Sequence, residues 1–199
     1  MSFIEFINQK PLFYTKIDRE RIKVAYAKLD NTIQVKLGKV IHIVGTNGKG
    51  STGNFIYNYL QHKKYNVAHY TSPHIFSFNE RIVSNGKAIS NQELNETHKK
   101  LLAILGQELS DTLSYFEYTT LLMILYFHNE KLDYAIIEAG MGGEYDATNV
   151  LNKELSLITP ISLDHESFLG KDIKDIATTK LNSINAVAIL GVQNPQVET

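Results

Sequence analysis

Short apolar runs that alternate with helix-like segments are the feature that most constrains the fold of this chain. The runs are nearly continuous in apolar residues, as expected for strands buried on both faces of a parallel sheet. Between them, apolar residues recur at three- and four-residue steps, which is typical of amphipathic helices. This alternation predicts an α/β fold with a doubly wound, mostly parallel sheet. The predicted strands are KVIHIV (39–44), NVAHY (66–70), DYAIIEAG (133–140), LSLITPI (155–161) and AVAILG (186–191).

The predicted helices lie between or before these strands. One covers 17–29, where an apolar face would gather on one side of the helix. Others follow the glycine-rich segment 45–52 or cover separate stretches later in the chain. The apolar face of the helix at 17–29 consists of Ile17, Ile22, Val24, Ala25 and Leu29. The later helices are predicted at 91–105, 112–128 and 172–184.

Length and charge exclude several classes of protein. A chain of 199 residues can bury roughly 70% of the surface that its unfolded form exposes, so it needs no disulfide or structural zinc to fold. The 20 Lys+Arg residues are balanced by 21 Asp+Glu residues, which argues against nucleic acid as a partner. The absence of cysteine excludes thiol catalysis and thiolate metal sites.

The sequence gives no sign of export or of a membrane partner. The N-terminal residues mix charges among apolar side chains, unlike a secretory signal. The longest strongly apolar run, LLMILYF at 121–127, is far shorter than the ~20 residues that cross a bilayer. We therefore expect a cytoplasmic location.

A glycine-rich turn between the first strand and the following helix predicts a nucleotide triphosphate site. Gly45, Gly48 and Gly50 would let backbone N–H groups approach phosphates at a helix N-terminus. Lys49 supplies a positive charge, and Ser51 can reach a phosphate or its magnesium ion. The spacing departs from the common GxxxxGK[ST] form, and a plain strand-to-helix connection is the alternative. The nucleotide set is completed by Thr46, Asn47 and Thr52.

Acidic and imidazole groups follow the later strands. Glu138 ends one predicted strand, and Asp164 with His165 follows another. Because the carboxyl ends of parallel strands meet at one sheet edge, these oxygens are candidate magnesium ligands beside the glycine-rich turn. Taken alone, His165 also suits an ordinary hydrogen-bonded role. The same structural role is expected for the histidines at 42, 62, 69, 98 and 128.

Four ordered segments carry a family resemblance: GTNGKGST (45–52), YTSPHIFSFNERI (70–82), EAGMGGEYDATN (138–149) and LDHESFLG (163–170). In this order and at these separations they resemble the folylpolyglutamate and dihydrofolate synthases of the Mur ligase superfamily. A peptidoglycan Mur ligase would share the first segment but is not expected to have TSPH followed by NERI. The resemblance implies a Mur ligase central-domain-like fold and an ATP-dependent ligase that joins L-glutamate to dihydropteroate or folate through an acyl phosphate.

The resemblance also implies roles for individual residues. Lys49, His165 and Lys180 would be catalytic, with ATP and Mg²⁺ as cofactors. Ser72, Glu138, His165 and Lys180 match metal-binding positions. The pterin part of the substrate would contact Pro73, His74, Arg81, Asp146 and Ala147.

Lys180 matches the lysine that is carbamylated in this superfamily. A carbamate supplies anionic oxygens for a second magnesium, but its formation needs a neutral amine. A solvated helix lysine is the alternative, because the family tends to have EKAGI where this chain has TKLNS at 179–183. Glu144 is a second departure, at a usual arginine position. Glu117 matches the family's FE pair, and an N-terminal helix carboxylate stabilised by the helix dipole is its structural alternative.

The length of the chain leaves two hypotheses open. The resemblance implies that members of the family are longer, and we expect this chain to end before their C-terminal domain begins. We therefore expect residues 1–199 to form one N-terminal ATP-binding domain, with a truncation near its C-terminal end as one option. The alternative is a non-catalytic nucleotide-binding module, for which an exposed apolar patch near 186–199 would suit a partner. A P-loop kinase or GTPase is a weaker third option, because no base-recognition motif is visible.

Overall fold

A seven-stranded sheet forms the centre of the molecule in the computed structural model, which describes residues 1–12, 18 and 20–198. The strand order across the sheet is β4-β3-β2-β5-β1-β6-β7. The strands are β1 (Lys39–Val44), β2 (Val67–Tyr70), β3 (Ile82–Ser84), β4 (Lys87–Ala88), β5 (Tyr134–Glu138), β6 (Leu155–Ile158) and β7 (Val187–Leu190).

Five of these strands run parallel, so the predicted doubly wound, mostly parallel sheet is confirmed. β1 lies between β5 and β6, with Ile43 opposite both Glu138 and Leu157. The antiparallel hairpin β3–β4 at one edge was not predicted. Asn85 and Gly86 at its tip both have positive φ, and an Asn-Gly pair is the signal from which this hairpin could be predicted.

The helices pack on both faces of the sheet. Their bounds are α1 (Phe3–Asn8), α2 (Arg21–Ile33), α3 (Lys49–His62), α4 (Asn91–Leu105), α5 (Gln107–Thr112), α6 (Tyr115–His128), α7 (Glu166–Leu169), α8 (Ile173–Leu181) and α9 (Pro195–Glu198). Short 3₁₀ helices cover Phe78–Arg81 and Ala147–Val150. The helix predicted at 112–128 is α6, which starts three residues later, after its cap Ser114. Thr112 ends the separate short helix α5, which was not predicted.

Helix α2 begins and ends four residues later than predicted. Ile22, Ala25 and Leu29 are buried as expected, whereas Val24 is 57% exposed and does not belong to the apolar face. A helix places residues three and four apart on one face, and Val24 is two residues from Ile22. Ile17 lies outside the described residues.

Successive side chains of the central strands pack in separate hydrophobic cores on the two faces of the sheet. On β1, Val40 packs in the core formed with α1, α2, α4 and α6. Ile41 and Ile43 point to the other face, where they pack with Tyr57 of α3. This period-two alternation buries both faces of the central strands, as predicted. The part of the chain that the structure describes contains no helix long and apolar enough to cross a membrane.

Strand β7 contradicts the prediction of burial on both faces. Val187 is 68% exposed, and Ile189 and Leu190 are also exposed. β7 is an edge strand paired with β6, and its side chains are exposed because no helix in the described part of the chain packs extensively on its faces. Helix α9 follows β7 and packs against α8 rather than over the strand.

Candidate active site

The glycine-rich turn connects the end of β1 to the start of α3, as the sequence predicts. Gly48 is the N-cap of α3, with a left-handed φ of 83°, and it has no side chain to bond the first-turn N–H groups. These N–H groups and the positive end of a 14-residue helix suit an anion. Gly45 is required by close packing, since a methyl group there would lie 2.0 Å from Thr159 Oγ1.

Two lysines meet the backbone of this turn. Lys49 Nζ donates to the carbonyl oxygens of Gly45 (3.2 Å) and Thr46 (3.3 Å). Lys180 Nζ, from α8, donates to the same Gly45 oxygen at 3.1 Å. Lys180 is only 2% exposed, so it is not the solvated lysine of the alternative interpretation. Burial lowers the pKa of Lys180 to about 8, and the charge of Lys49 acts in the same direction.

Glu138 brings a carboxylate to the turn. It ends β5 beside β1, and its Oε2 lies 3.6 Å from the position of a methyl group on Gly50. Thr71 Oγ1 and Ser72 N donate to the same oxygen, the latter at 3.3 Å. Burial raises the pKa of Glu138, and the hydrogen bond from Thr71 and the charge of Lys49 oppose that rise.

A cavity of about 420 Å³ lies next to the turn, at the carboxyl end of the sheet. Its walls are mainly apolar and come from separate parts of the chain, with a few charged groups among them. Of the predicted metal and substrate residues, it is lined by Ser72, Pro73, Arg81, Asp146, Ala147 and His165.

Arg81 is held rigidly at the cavity wall. It is buried, its guanidinium carbon lies 5.3 Å from the ring centre of Tyr115, and it also stacks over Phe78. Its Nε donates to Nδ1 of His74 at 2.8 Å. His74 does not line the cavity but accepts a hydrogen bond from Arg81 beside it, and its contact with the pterin stays a prediction.

Asp146 organises the loop after β5. Its Oδ2 accepts from Met141 N at 2.8 Å, and its Oδ1 accepts from the backbone N–H of Thr148 at 2.9 Å and from the Thr148 hydroxyl. Burial raises the pKa of Asp146, and these hydrogen bonds oppose the rise. The loop packs closely on α8, since a methyl group on Gly143 would lie 2.9 Å from Lys180 Cα.

The predicted metal ligands are divided between the turn and the cavity. Glu138 and Lys180 contact the turn, whereas Ser72 and His165 line the cavity. His165 is exposed, with its Nε2 3.5 Å from Asp164 Oδ2. Within residues 1–12, 18 and 20–198, no three His, Asp or Glu side chains are grouped to hold a metal. Ser72 N, bonded to Glu138, joins the two regions.

The two departures from the family pattern contact each other. Asn182 Nδ2 donates to Glu144 Oε2 at 2.9 Å, and Glu144 N donates to Thr179 O at 2.9 Å. Ser183 Oγ donates to the carbonyl oxygen of Lys180. Glu144 thus joins the loop to the C-terminal part of α8 and does not line the cavity.

The cavity wall contains an ion pair that the sequence does not predict. Arg21 donates to both oxygens of Glu117, at 3.0 and 3.1 Å. Glu117 also forms a capping box with Ser114 at the start of α6, which confirms its structural interpretation. Arg21 and Glu117 are 96 residues apart, so only the fold brings them together.

Comparison with known proteins agrees with this architecture. Residues 43–192 match the Mur ligase middle domain, and the chain therefore belongs to the Mur ligase family. Within that family it matches the N-terminal half of the dihydrofolate and folylpolyglutamate synthases. The Haemophilus influenzae dihydrofolate synthase/folylpolyglutamate synthase is 36% identical over 197 residues, which cover 98% of this chain and 43% of that protein.

Solved structures give the same result. The Helicobacter pylori folylpolyglutamate synthetase superposes with a TM-score of 0.85 and 38% identity, covering 98% of this chain and 48% of that one. A complex of FPGS with AMPPCP and folate has a TM-score of 0.89 and 33% identity, covering all of this chain and 50% of that one. The chain thus spans about half the length of the relatives it matches.

Proposed function

We propose that this chain is the ATP- and pterin-binding domain of an ATP-dependent carbon–nitrogen ligase, which adds L-glutamate to dihydropteroate or folate in the cytoplasm. The observation that carries the proposal is the position of Ser72. Its N–H donates to Glu138 beside the glycine-rich turn at 45–52, which we call the phosphate loop, and Ser72 also lines the cavity. The FPGS complex with AMPPCP and folate supports both ligands.

The turn at 45–52 supplies what a triphosphate needs. The first-turn N–H groups of α3 would bind phosphate oxygens, and Lys49 would exchange its carbonyl contacts for the β- and γ-phosphates. Ser51 and Thr52 offer hydroxyls at the same helix terminus. Phosphoryl transfer depends mainly on positioning and charge neutralisation, which these groups supply.

The oxygen donors beside the turn fit magnesium. Mg²⁺ uses one or two protein carboxylates and completes its shell with water and phosphate oxygens. Glu138, with Ser72 beside it, provides such a carboxylate within reach of the phosphates, so a dedicated cluster of three acidic groups is not required. When bound, magnesium would neutralise the developing phosphate charge, and His165, which lines the cavity, would be a further ligand.

The remaining predicted residues would serve the acceptor substrate and the second cation. Pro73, Arg81, Asp146 and Ala147 line a cavity large enough for a pterin ring, and His74 holds Arg81. The substrate carboxylate would take the γ-phosphoryl group, and the amine of glutamate would then displace phosphate. Lys180, with its pKa lowered to about 8, has a larger neutral fraction for carbamylation than a solvated lysine.

A chimera tests this proposal. The chain would be fused to the remaining half of the Haemophilus influenzae relative and assayed for phosphate release from MgATP with L-glutamate. We expect release that requires dihydropteroate or folate and is lost in Lys49→Ala. Absence of pterin-dependent release from a folded chimera would contradict the ligase function.

The alternative function is a non-catalytic nucleotide-binding module. The exposed apolar side chains of β7 favour it, because they could face a partner. MgATP binding by calorimetry that is abolished by Lys49→Ala, together with a chimera that releases no phosphate, would favour the module over the ligase.

A further inference from the structure

A buried histidine, for which the sequence predicts only a structural role, lies in a series of hydrogen bonds that leads to the loop after β5, which we call the cavity loop. His42 is on β1 and is fully buried. Its Nε2 lies 2.8 Å from Thr148 Oγ1, and that hydroxyl in turn contacts Asp146 Oδ1. Asp146 and Ala147 line the cavity. These two hydrogen bonds, from His42 through Thr148 to Asp146, form a relay that connects the central strand of the sheet to the cavity wall.

The direction of each hydrogen bond follows from what the groups can donate. An ionised carboxylate only accepts, so the Thr148 hydroxyl must give its proton to Asp146. The Thr148 oxygen then accepts from His42, which requires the proton of the imidazole to be on Nε2. His42 Nδ1 has no hydrogen-bond partner within the described part of the chain, so a proton there would go unused. Burial lowers the pKa of His42 to about 3, so the ring stays neutral.

We propose that His42 is a positioning residue for the pterin cavity, acting by donating through Thr148 to Asp146. Asp146 uses its two oxygens to hold Met141 N and Thr148 N, which lie on either side of the cavity loop. The relay holds the Asp146 carboxylate in its orientation, and the carboxylate in turn holds the cavity loop through Met141 N and Thr148 N. His42 acts through other groups and does not contact the substrate itself. The effect on pterin binding rests on the proposed function, whereas the hydrogen-bond direction does not.

A second buried histidine provides a matched control. His69 lies on β2, is 5% exposed, and has its pKa lowered to about 4 by burial. Its Nε2 has no hydrogen-bond partner within the described part of the chain and packs against Gly53 of α3. His69 thus shares the burial of His42 and lacks its link to the cavity loop.

The first test reads the proton directly. Nitrogen-15 NMR of the full chain at pH 7 should show His42 protonated on Nε2 and unprotonated on Nδ1. A proton on Nδ1 would overturn the relay, because Thr148 would then donate to His42 and Asp146 would carry a proton. This result is independent of any ligand.

The second test measures folate affinity by calorimetry. Thr148→Val removes the relaying hydroxyl and should weaken folate binding on the order of tenfold. Thr148→Ser keeps the hydroxyl and should restore binding to within about twofold of the wild-type chain. His42→Leu should match Thr148→Val, while MgATP affinity stays unchanged in all variants and His69→Gln leaves folate affinity unchanged. Equal folate affinity in Thr148→Val and Thr148→Ser would overturn the positioning role.

A wild-type chain that binds no folate would count against the proposed function and would not decide the relay. The relay is then tested by hydrogen exchange at the backbone amides of Met141 and Thr148, which donate to the Asp146 carboxylate. We expect both amides to lose hydrogen-exchange protection in Thr148→Val and to keep it in Thr148→Ser. Unchanged protection in Thr148→Val would overturn the relay.

Discussion

The phosphate loop and the neighbouring cavity lie at the same edge of the sheet but are built in different ways. The loop is eight consecutive residues, 45–52, fixed by one strand and one helix. The cavity takes its walls from α2, the TSPH segment, α6, the loop after β5 and the segment around His165. A contiguous site depends on local backbone conformation, whereas an assembled site depends on the whole fold. Substitutions in the two regions should therefore affect different ligands.

The largest expected effect is a loss of stability when Gly45 of the phosphate loop is replaced, with Gly48 of the same loop as the comparison. Gly45→Ala would place a methyl group 2.0 Å from Thr159 Oγ1 and 2.8 Å from the Thr159 carbonyl oxygen, so it should lower the free energy of unfolding by about 3 kcal/mol. Gly48→Ala meets no atom within 4 Å and carries only the cost of a positive φ, about 1 kcal/mol. Urea unfolding measures both, and equal losses would contradict the packing argument.

The next effect is on nucleotide binding. Lys49→Ala removes the cation at the phosphate loop and should weaken MgATP binding by about 100-fold. Folate binding should stay within about twofold, because Lys49 does not line the cavity. Calorimetry measures both affinities. Lys63→Ala, at the other end of α3, is the control and should change neither affinity.

The stability at low pH should depend on the buried histidine behind the phosphate-loop helix. Burial lowers the pKa of His69 to about 4, below the ~6.5 of an unfolded histidine. The unfolded chain therefore binds more protons between these pH values, and stability falls as the pH drops through this range. Between pH 7 and pH 5 the contribution of His69 alone to this loss is about 2 kcal/mol.

Urea unfolding at pH 7 and pH 5 isolates this contribution when the wild-type chain is compared with His69→Gln. The lowered pKa of His42 acts in the same direction and the raised pKa values of Glu138 and Asp146 act in the opposite direction, but these groups are common to both proteins. His69→Gln should lose about 2 kcal/mol less on acidification than the wild-type chain. The same pH dependence in both proteins would contradict the burial argument.

The smallest effect is expected in the cavity. Arg81→Lys keeps the charge but loses the planar stack on Tyr115 and the Nε bond to His74, so folate affinity should fall on the order of tenfold. MgATP affinity should be unchanged. Lys87→Met, on the exposed strand β4, is the matched control in the same calorimetric titrations. A parallel fall in MgATP affinity would mean that the two regions are not separable.

The same difference in construction explains what the sequence could predict. The phosphate loop and the central strands follow from local pattern, because glycine conformation and period-two burial are properties of short segments. Arg21 and Glu117 could not be paired in advance, since 96 residues separate them. The burial of Lys180 against Gly45, 135 residues away, was likewise hidden, and so was the relay from His42 to the cavity loop.

The most direct test of two adjacent, separate sites is a folate titration of the chain saturated with AMPPCP. Ser72 joins the two regions, but no residue of the loop 45–52 lines the cavity, so we expect one folate to bind per chain with AMPPCP still bound. The folate affinity should be no weaker than that of the chain without nucleotide. Displacement of AMPPCP by folate would mean that both ligands occupy one site and would contradict this account.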